Sequence, residues 1–236
     1  MWADVALILG AYLLGSLPHL SALAKLRGIE LDGDYHISLW ERAGPLLWFT
    51  GTLGEFAKGA IPVLIAKGLS FSLPMVALAG LAAVSGQMWP IFSRFDGEKG
   101  NSVGLAMAAA LVPKAVLIAL IPIVIAVILR VGPRLLSARR STNHRSAIGG
   151  APSRVLPLGM ATGFFVLPLA CWWLGKPLEI SLGCAALFIL IMLRRLTAGI
   201  RSDLAESTDI KAIIIRRLLY DRATARWRQQ PIRTNK

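Results

Sequence analysis

Acidic residues are scarce in this chain: 13 Asp and Glu stand against 26 Lys and Arg over 236 residues, for a net charge of +13. Cysteine is scarcer still. Cys171 and Cys184 both lie inside apolar runs, where a thiol serves as a small packing residue. Two cysteines supply neither a disulfide framework nor metal-ligand spacing. The three histidines, His19, His36 and His144, have no partner at i+3 or i+4, so no metal site is read. The N-terminus carries Asp4 where a signal peptide would carry Lys or Arg, and its long apolar run is read as a retained first span. The amphipathic scatter of a soluble domain is missing as well.

Long apolar runs stand in its place. Hydrophobic residues make up 55% of the chain, with a mean hydropathy of +0.61, and runs of roughly 18 or more read as membrane spans. The expected fold is all-α, a polytopic membrane helix bundle of about seven transmembrane helices. On a soluble protein the positive excess would suggest nucleic acid. Here the cations fall between and after the apolar runs, so they read as cytoplasmic loops facing anionic lipid, with no nucleic acid as partner. The expected division is a membrane domain over residues 1–200 and a basic cytoplasmic tail over 201–236.

The first run, residues 5–24, is interrupted by Gly15-Ser16-Leu17-Pro18. A proline removes a helical hydrogen bond, so this break is either a packing kink or the lining of a cavity. Residues 25–44 read as a polar connection. The second run, 45–69, carries Glu55 and Lys58, which share a helix face at i,i+3. Ionisable groups inside a span are costly, and the pair is either functional or a structural ion pair. A third run, 72–92, ends in Trp89-Pro90. Residues 103–129 form one long helix or two that turn at Pro113-Lys114. Two helices bring the connections near 25–44, 93–102 and 130–154 to one side with the tail, and the loop-charge rule favours that arrangement. Residues 130–154 hold six Arg and no acid, and spans over 155–174 and 178–193 follow. In the tail, Ile210, Ile213, Ile214, Leu218 and Leu219 recur at helical spacing with Arg216 and Arg217 opposite. With Trp227 they read as a basic amphipathic helix on the membrane or as a solvated tail.

The loop Gly97-Glu98-Lys99-Gly100-Asn101-Ser102 opens a helix. Glycines let backbone amides approach an anion, helix N-terminal amides are unpaired, and Lys99 adds a point charge. Asn101 and Ser102 donate hydrogen bonds. A turn with glycine at positive φ explains the same pattern, and the spacing is not that of the ATP-binding loop. No His-x4-Asp pair is present. Any chemistry therefore rests on positioning anions.

The order of these motifs resembles the bacterial acyl-phosphate:glycerol-3-phosphate acyltransferases, small polytopic membrane enzymes. Gly15-Ser16-Leu17-Pro18 matches that family's first helix, and Lys25-Leu26-Arg27-Gly28-Ile29-Glu30 the segment after it. Glu55-Phe56-Ala57-Lys58-Gly59-Ala60-Ile61-Pro62-Val63 matches the second helix, and Gly86-Gln87-Met88-Trp89-Pro90 with Phe95-Asp96-Gly97-Glu98-Lys99-Gly100 the central motif. The last motif keeps Arg195-Leu196-Thr197-Ala198-Gly199. The family's Asn-rich segment is replaced by residues 37–44, where Arg42 matches its terminal Arg. Its central His is Gln87, its second loop Gly is Glu98, and its late His and Asn fall on Ile189 and Met192.

The resemblance implies transfer of an acyl group from acyl phosphate to glycerol 3-phosphate, giving lysophosphatidate in phospholipid biosynthesis without a cofactor. It places Ser16 and Lys99 at the reaction centre, and Arg42, Gly97, Gly100, Asn101 and Ser102 on substrate phosphate. Glu55, Lys58 and Arg195 support them. Glu98 is expected to point away from the phosphate, and the protein is expected in the bacterial plasma membrane among membrane lipids. Two other readings stand beside it: a non-catalytic paralogue that keeps the fold as a lipid- or protein-binding module, and a small-anion transporter.

Overall fold

The break at Leu17-Pro18 divides the first run into α1 (Trp2–Ser16) and α2 (His19–Leu26). The remaining elements of this computed structural model are α3 (Tyr35–Ala43), α4 (Pro45–Gly68), α5 (Leu73–Met88), α6 (Asn101–Leu111), α7 (Pro113–Ala138), α8 (Val155–Trp173), α9 (Leu178–Thr197), α10 (Ile200–Glu206) and α11 (Ile210–Tyr220). The structure describes residues 1–29, 35–138, 154–206 and 209–220, and the described elements are all helical. Trp227 and most of the Arg-rich stretch lie outside the described residues.

Close contacts fix the helix directions. Gly59 of α4 packs on Val103 and Met107 of α6, and Lys67 at the end of α4 donates to the carbonyls of Ala110 and Leu111. These two helices therefore run the same way. α5 runs opposite, with Gln87 beside Glu55 and Lys58, and Gly80 beside Val63. Gly159 of α8 meets Ala126 of α7, and Gly163 meets Ala119 and Ile123, so these two are antiparallel. α9 then returns to bring Arg194 to Gly97. It follows that α6 and α7 reverse at Val112-Pro113 and are two helices.

Glycine at these crossings has a simple cause. Bilayer helices gain little from excluding lipid, so close backbone approach and packing hold them together. A Cβ at Gly59 would enter the Val103 carbonyl, and one at Gly86 the Tyr12 carbonyl. Outward faces carry exposed apolar side chains such as Leu9, Phe49, Leu64, Leu117, Ile121, Phe165 and Ile189, as a lipid-facing surface requires. Among the described residues, five stretches are long and apolar enough to cross a membrane: Trp2–Leu26, Leu73–Ser93, Pro113–Gly132, Val155–Trp173 and Leu178–Thr197. α4 has the length but carries internal charge. α6, with 11 residues, covers about 17 Å of a roughly 30 Å hydrocarbon layer. The count of about seven passes includes these two.

Two expectations need correction. Residues 25–44 are more than a connection, because α3 lies within them and packs Leu39 with Leu20 and Ala24 of α2 in a small core of its own. Three apolar residues on two short helices leave little sequence signal. In the tail, Arg217 does not lie opposite the buried face but is itself 1% exposed. It pairs with Asp203 at 2.7 Å and donates to the carbonyls of Leu196 and Ala198, which closes the end of α9.

Candidate functional site

At the helix break, α1 ends on Leu17 in an extended conformation. The Leu17 carbonyl accepts hydrogen bonds from the His19 amide and from Lys58 Nζ. Lys58 also donates to Gln87 Oε1 at 2.7 Å, and Gln87 Nε2 donates to Glu55 Oε1 at 2.8 Å. His36 Nε2 meets the second Glu55 oxygen at 2.8 Å. Four elements thus join in one polar chain running Leu17–Lys58–Gln87–Glu55–His36. Glu55 and Lys58 are 2% and 5% exposed, and each charge has its own partners, the condition under which such groups persist inside a bundle. The pair seen in sequence as i,i+3 does not close on itself. An amide from α5 bridges it, since an amide accepts from a cation with one atom and donates to an anion with the other.

Ser16 sits one residue before the break and is 1% exposed, at the crossing of α1 with Gly86 of α5. Its hydroxyl donates to the Tyr12 carbonyl at 2.8 Å, and the Tyr12 hydroxyl donates to the Trp89 carbonyl at 2.6 Å. The 97–100 loop lies against the same end of α5. The Glu98 amide donates to the Gln87 carbonyl at 3.1 Å. Gly97 rests on that carbonyl and on Pro90, so closely that a Cβ there would overlap both. Gly100 caps α6 at φ 72°, a left-handed conformation that glycine tolerates. Arg194 holds the loop from α9: its Nη2 donates to the Gly97 carbonyl at 2.6 Å, lies 3.4 Å from Asp96, and its guanidinium stands over the Trp89 ring.

The structure therefore gathers Ser16, Glu55, Lys58, Gly97, Gly100 and Ser102 around Gln87; the Ser102 hydroxyl reaches the Glu55 carboxylate. Lys99 is half-buried within the same loop, and the Asn101 side-chain oxygen is buried at the start of α6. Arg42 is exposed at the far end of α3, six residues or about 9 Å of helix axis from His36. Arg195 faces elsewhere, donating to the Pro157 carbonyl at 2.9 Å, and its neighbour Arg194 is the residue that reaches the loop. Glu98 does not point away. One of its carboxylate oxygens lies within 4.8 Å of ligand atoms on His36 and Glu55, where Lys58 supplies compensating positive charge. Two carboxylates and an imidazole also form a donor set suited to a divalent cation. Their separation over α3, α4 and a loop hides that grouping from any spacing rule. His36, Arg194 and Tyr12 were missed for the same reason.

A sequence model of the family described as glycerol-3-phosphate acyltransferase matches residues 5–203. The chain belongs to that family. Among its glycerol-3-phosphate acyltransferase relatives, that of Geotalea daltonii is 38% identical over 125 residues, covering 51% of this chain and 64% of the relative. That of Trichlorobacter lovleyi is 40% identical over 125 residues, with the same shares. The chain thus spans a little under two thirds of the length of these curated relatives. Two crystal structures of PlsY (YgiH), an integral membrane glycerol 3-phosphate acyltransferase, share the fold. The lysophosphatidic acid form superposes with a TM-score of 0.66 at 25% identity, covering 86% of this chain and 93% of that one. The glycerol 3-phosphate form gives 0.62 over the same shares. Acyltransferase architecture and an α-helical, multi-pass membrane setting are thereby established.

Proposed function

We propose that this protein transfers an acyl group from acyl phosphate to the 1-hydroxyl of glycerol 3-phosphate, the step that makes lysophosphatidate for phospholipid synthesis. The observation that carries the proposal is the meeting of Ser16, Lys58 and the 97–100 loop around Gln87, at one end of an apolar bundle. In the reaction the hydroxyl oxygen bonds to the acyl carbon while the acyl–phosphate C–O bond breaks. The released phosphate keeps the electron pair and, in the net balance, gains the hydroxyl proton. Both substrates are anions, so converging cations and amide donors act by positioning and charge stabilisation.

Ser16 and Lys99 stand at the reaction centre, while Gly97, Gly100, Asn101, Ser102 and Arg42 hold phosphate. Lys58, joined to Glu55 through Gln87, supports the helix break by donating to the Leu17 carbonyl. Arg194 fixes the loop, and Arg195 holds the end of α9 on α8. The apolar outer surface lets the acyl chain enter sideways from the bilayer. We place the protein in the bacterial plasma membrane, with the site, the basic loops and the tail on the cytoplasmic side.

A non-catalytic family member is the second reading, favoured by Glu98 facing the cluster. The deciding experiment measures phosphate release from palmitoyl phosphate by purified full-length protein, with and without glycerol 3-phosphate. Release that depends on glycerol 3-phosphate, with lysophosphatidate formed, supports the enzyme. No transfer under conditions where a motif-complete family member works leaves the non-catalytic reading. Lys99→Ala is expected to weaken acyl phosphate binding at least about tenfold, the loss of one charge-assisted contact.

A further inference from the structure

At the end of the bundle opposite the 97–100 loop, three helix connections meet around a cavity of about 270 Å³. Its lining includes Lys67 from the end of α4, Lys114 from the start of α7 and Lys176 from the α8–α9 connection. Leu73, Leu111 and Ile180 supply apolar wall. No acid lines it. Glu179, the nearest acid in sequence, is exposed in the first turn of α9 and outside the lining.

Like charges gathered in one cleft repel, and Lys67 and Lys176 are close enough to do so. The arrangement is also imposed rather than incidental. Lys67 is held inward by the Ala110 and Leu111 carbonyls at 2.7 and 3.1 Å, and the short connections after α6 and α8 leave Lys114 and Lys176 little choice of position. Three helices begin at the cavity: α5 at Leu73, α7 at Pro113 and α9 at Leu178. Three helices also end there, α4 at Gly68, α6 at Leu111 and α8 at Trp173, so the helix dipoles offset and the lysines carry the positive charge of the cleft.

The loop-charge rule does not account for these lysines. It collects cations on one side of the membrane, and the basic ends of α9 and α11 lie on the other side, beside the 97–100 loop. Cations converging against that trend, with no acid among them, call for an anion. We propose that this cavity is a binding site for the phosphate headgroup of an anionic membrane lipid. The lining decides between lipid and free phosphate. Its cations sit beside leucine and isoleucine, a mixed wall that suits an amphiphile better than a fully hydrated ion. The volume falls just below the roughly 300–1,000 Å³ of small-molecule clefts, room for a glycerophosphate and not for the chains. The site lies apart from the reaction centre and stands whether or not acyl transfer does.

The test compares the full-length protein in neutral detergent with a Lys114→Ala/Lys176→Ala double variant, both residues being exposed and outside the packed core. Melting temperature is followed during titration with dioleoylphosphatidylglycerol, dioleoylphosphatidylcholine or inorganic phosphate. The parent is expected to be stabilised by phosphatidylglycerol and not by phosphatidylcholine. The double variant should need at least tenfold more phosphatidylglycerol for the same shift. Lipid bound at the basic face affects both proteins equally, so the difference between them is the readout. Equal responses of parent and variant overturn the proposal, and so does equal stabilisation by phosphatidylcholine. A lysine-dependent shift from inorganic phosphate alone, with none from the lipid, overturns it in favour of a soluble anion.

Discussion

Gln87 has an unusual duty for a neutral side chain, because it touches a buried cation with one atom and a buried anion with the other. Gln87→Leu keeps much of the volume and takes one partner each from Lys58 and Glu55, which retain the Leu17 carbonyl and His36, at about 1.5–3 kcal/mol for each charged hydrogen bond lost. The expected result is a fall of several degrees in the melting temperature of purified protein. Gln87→His should lose much less, because a neutral imidazole also donates from one ring nitrogen and accepts at the other. Equal losses in the two variants would show that the bridge contributes nothing. Half of this network was legible in the sequence: Glu55 and Lys58 stand three apart on one face, and their cost in a span announced partners. Those partners lie 29 and 32 positions away in Gln87 and 19 away in His36, separations over which no pattern of spacing operates. Glu98 was placed wrongly for a related reason. The Gln87 carbonyl anchors its backbone at the cluster, and the buried Lys58 ammonium there attracts its carboxylate.

Among the elements, long apolar runs predicted the helices that face lipid, and the reversal at Pro113 followed from charge on the connections. α3 did not follow, since its packing depends on one leucine meeting two residues of α2. Glycine offers a sharp test of how the elements are held. Gly59→Val forces a side chain into the Val103 carbonyl and is expected to abolish recovery of folded, monodisperse protein from detergent extracts. Gly10→Ala, at a point of α1 with nothing near it, should leave yield and melting temperature unchanged or slightly raised, because alanine favours a helix by up to about 1 kcal/mol. If both variants behave alike, close α4–α6 approach is not what holds these helices together.

For the whole molecule, the helix directions put Arg154 and Lys176 at opposite ends of α8, an apolar helix of 19 residues. The proposed topology is read with single cysteines, after Cys171 and Cys184 are replaced by alanine. Lys176→Cys should react with a membrane-impermeant maleimide in intact spheroplasts, and Arg154→Cys only after permeabilisation. The reverse pattern would place the reaction centre outside the cell, away from its phosphorylated substrates. Overall architecture was the most legible scale of all, because hydropathy and loop charge are sums over many residues and survive local misreading.

The Gln87 bridge also bears on how the protein is made. Ribosomes deliver α4 to the membrane before α5, so Glu55 and Lys58 arrive while the residue that joins them is still unsynthesised. Each such charge raises the insertion free energy by about 2.5–3.5 kcal/mol near the centre of a helix, and α4 is not among the stretches apolar enough to cross unaided. It should therefore wait at the translocon and enter the bilayer together with α5. A chain stopped at residue 70 is expected to leave α4 open to protease at the membrane surface. A chain stopped at residue 100 is expected to protect it.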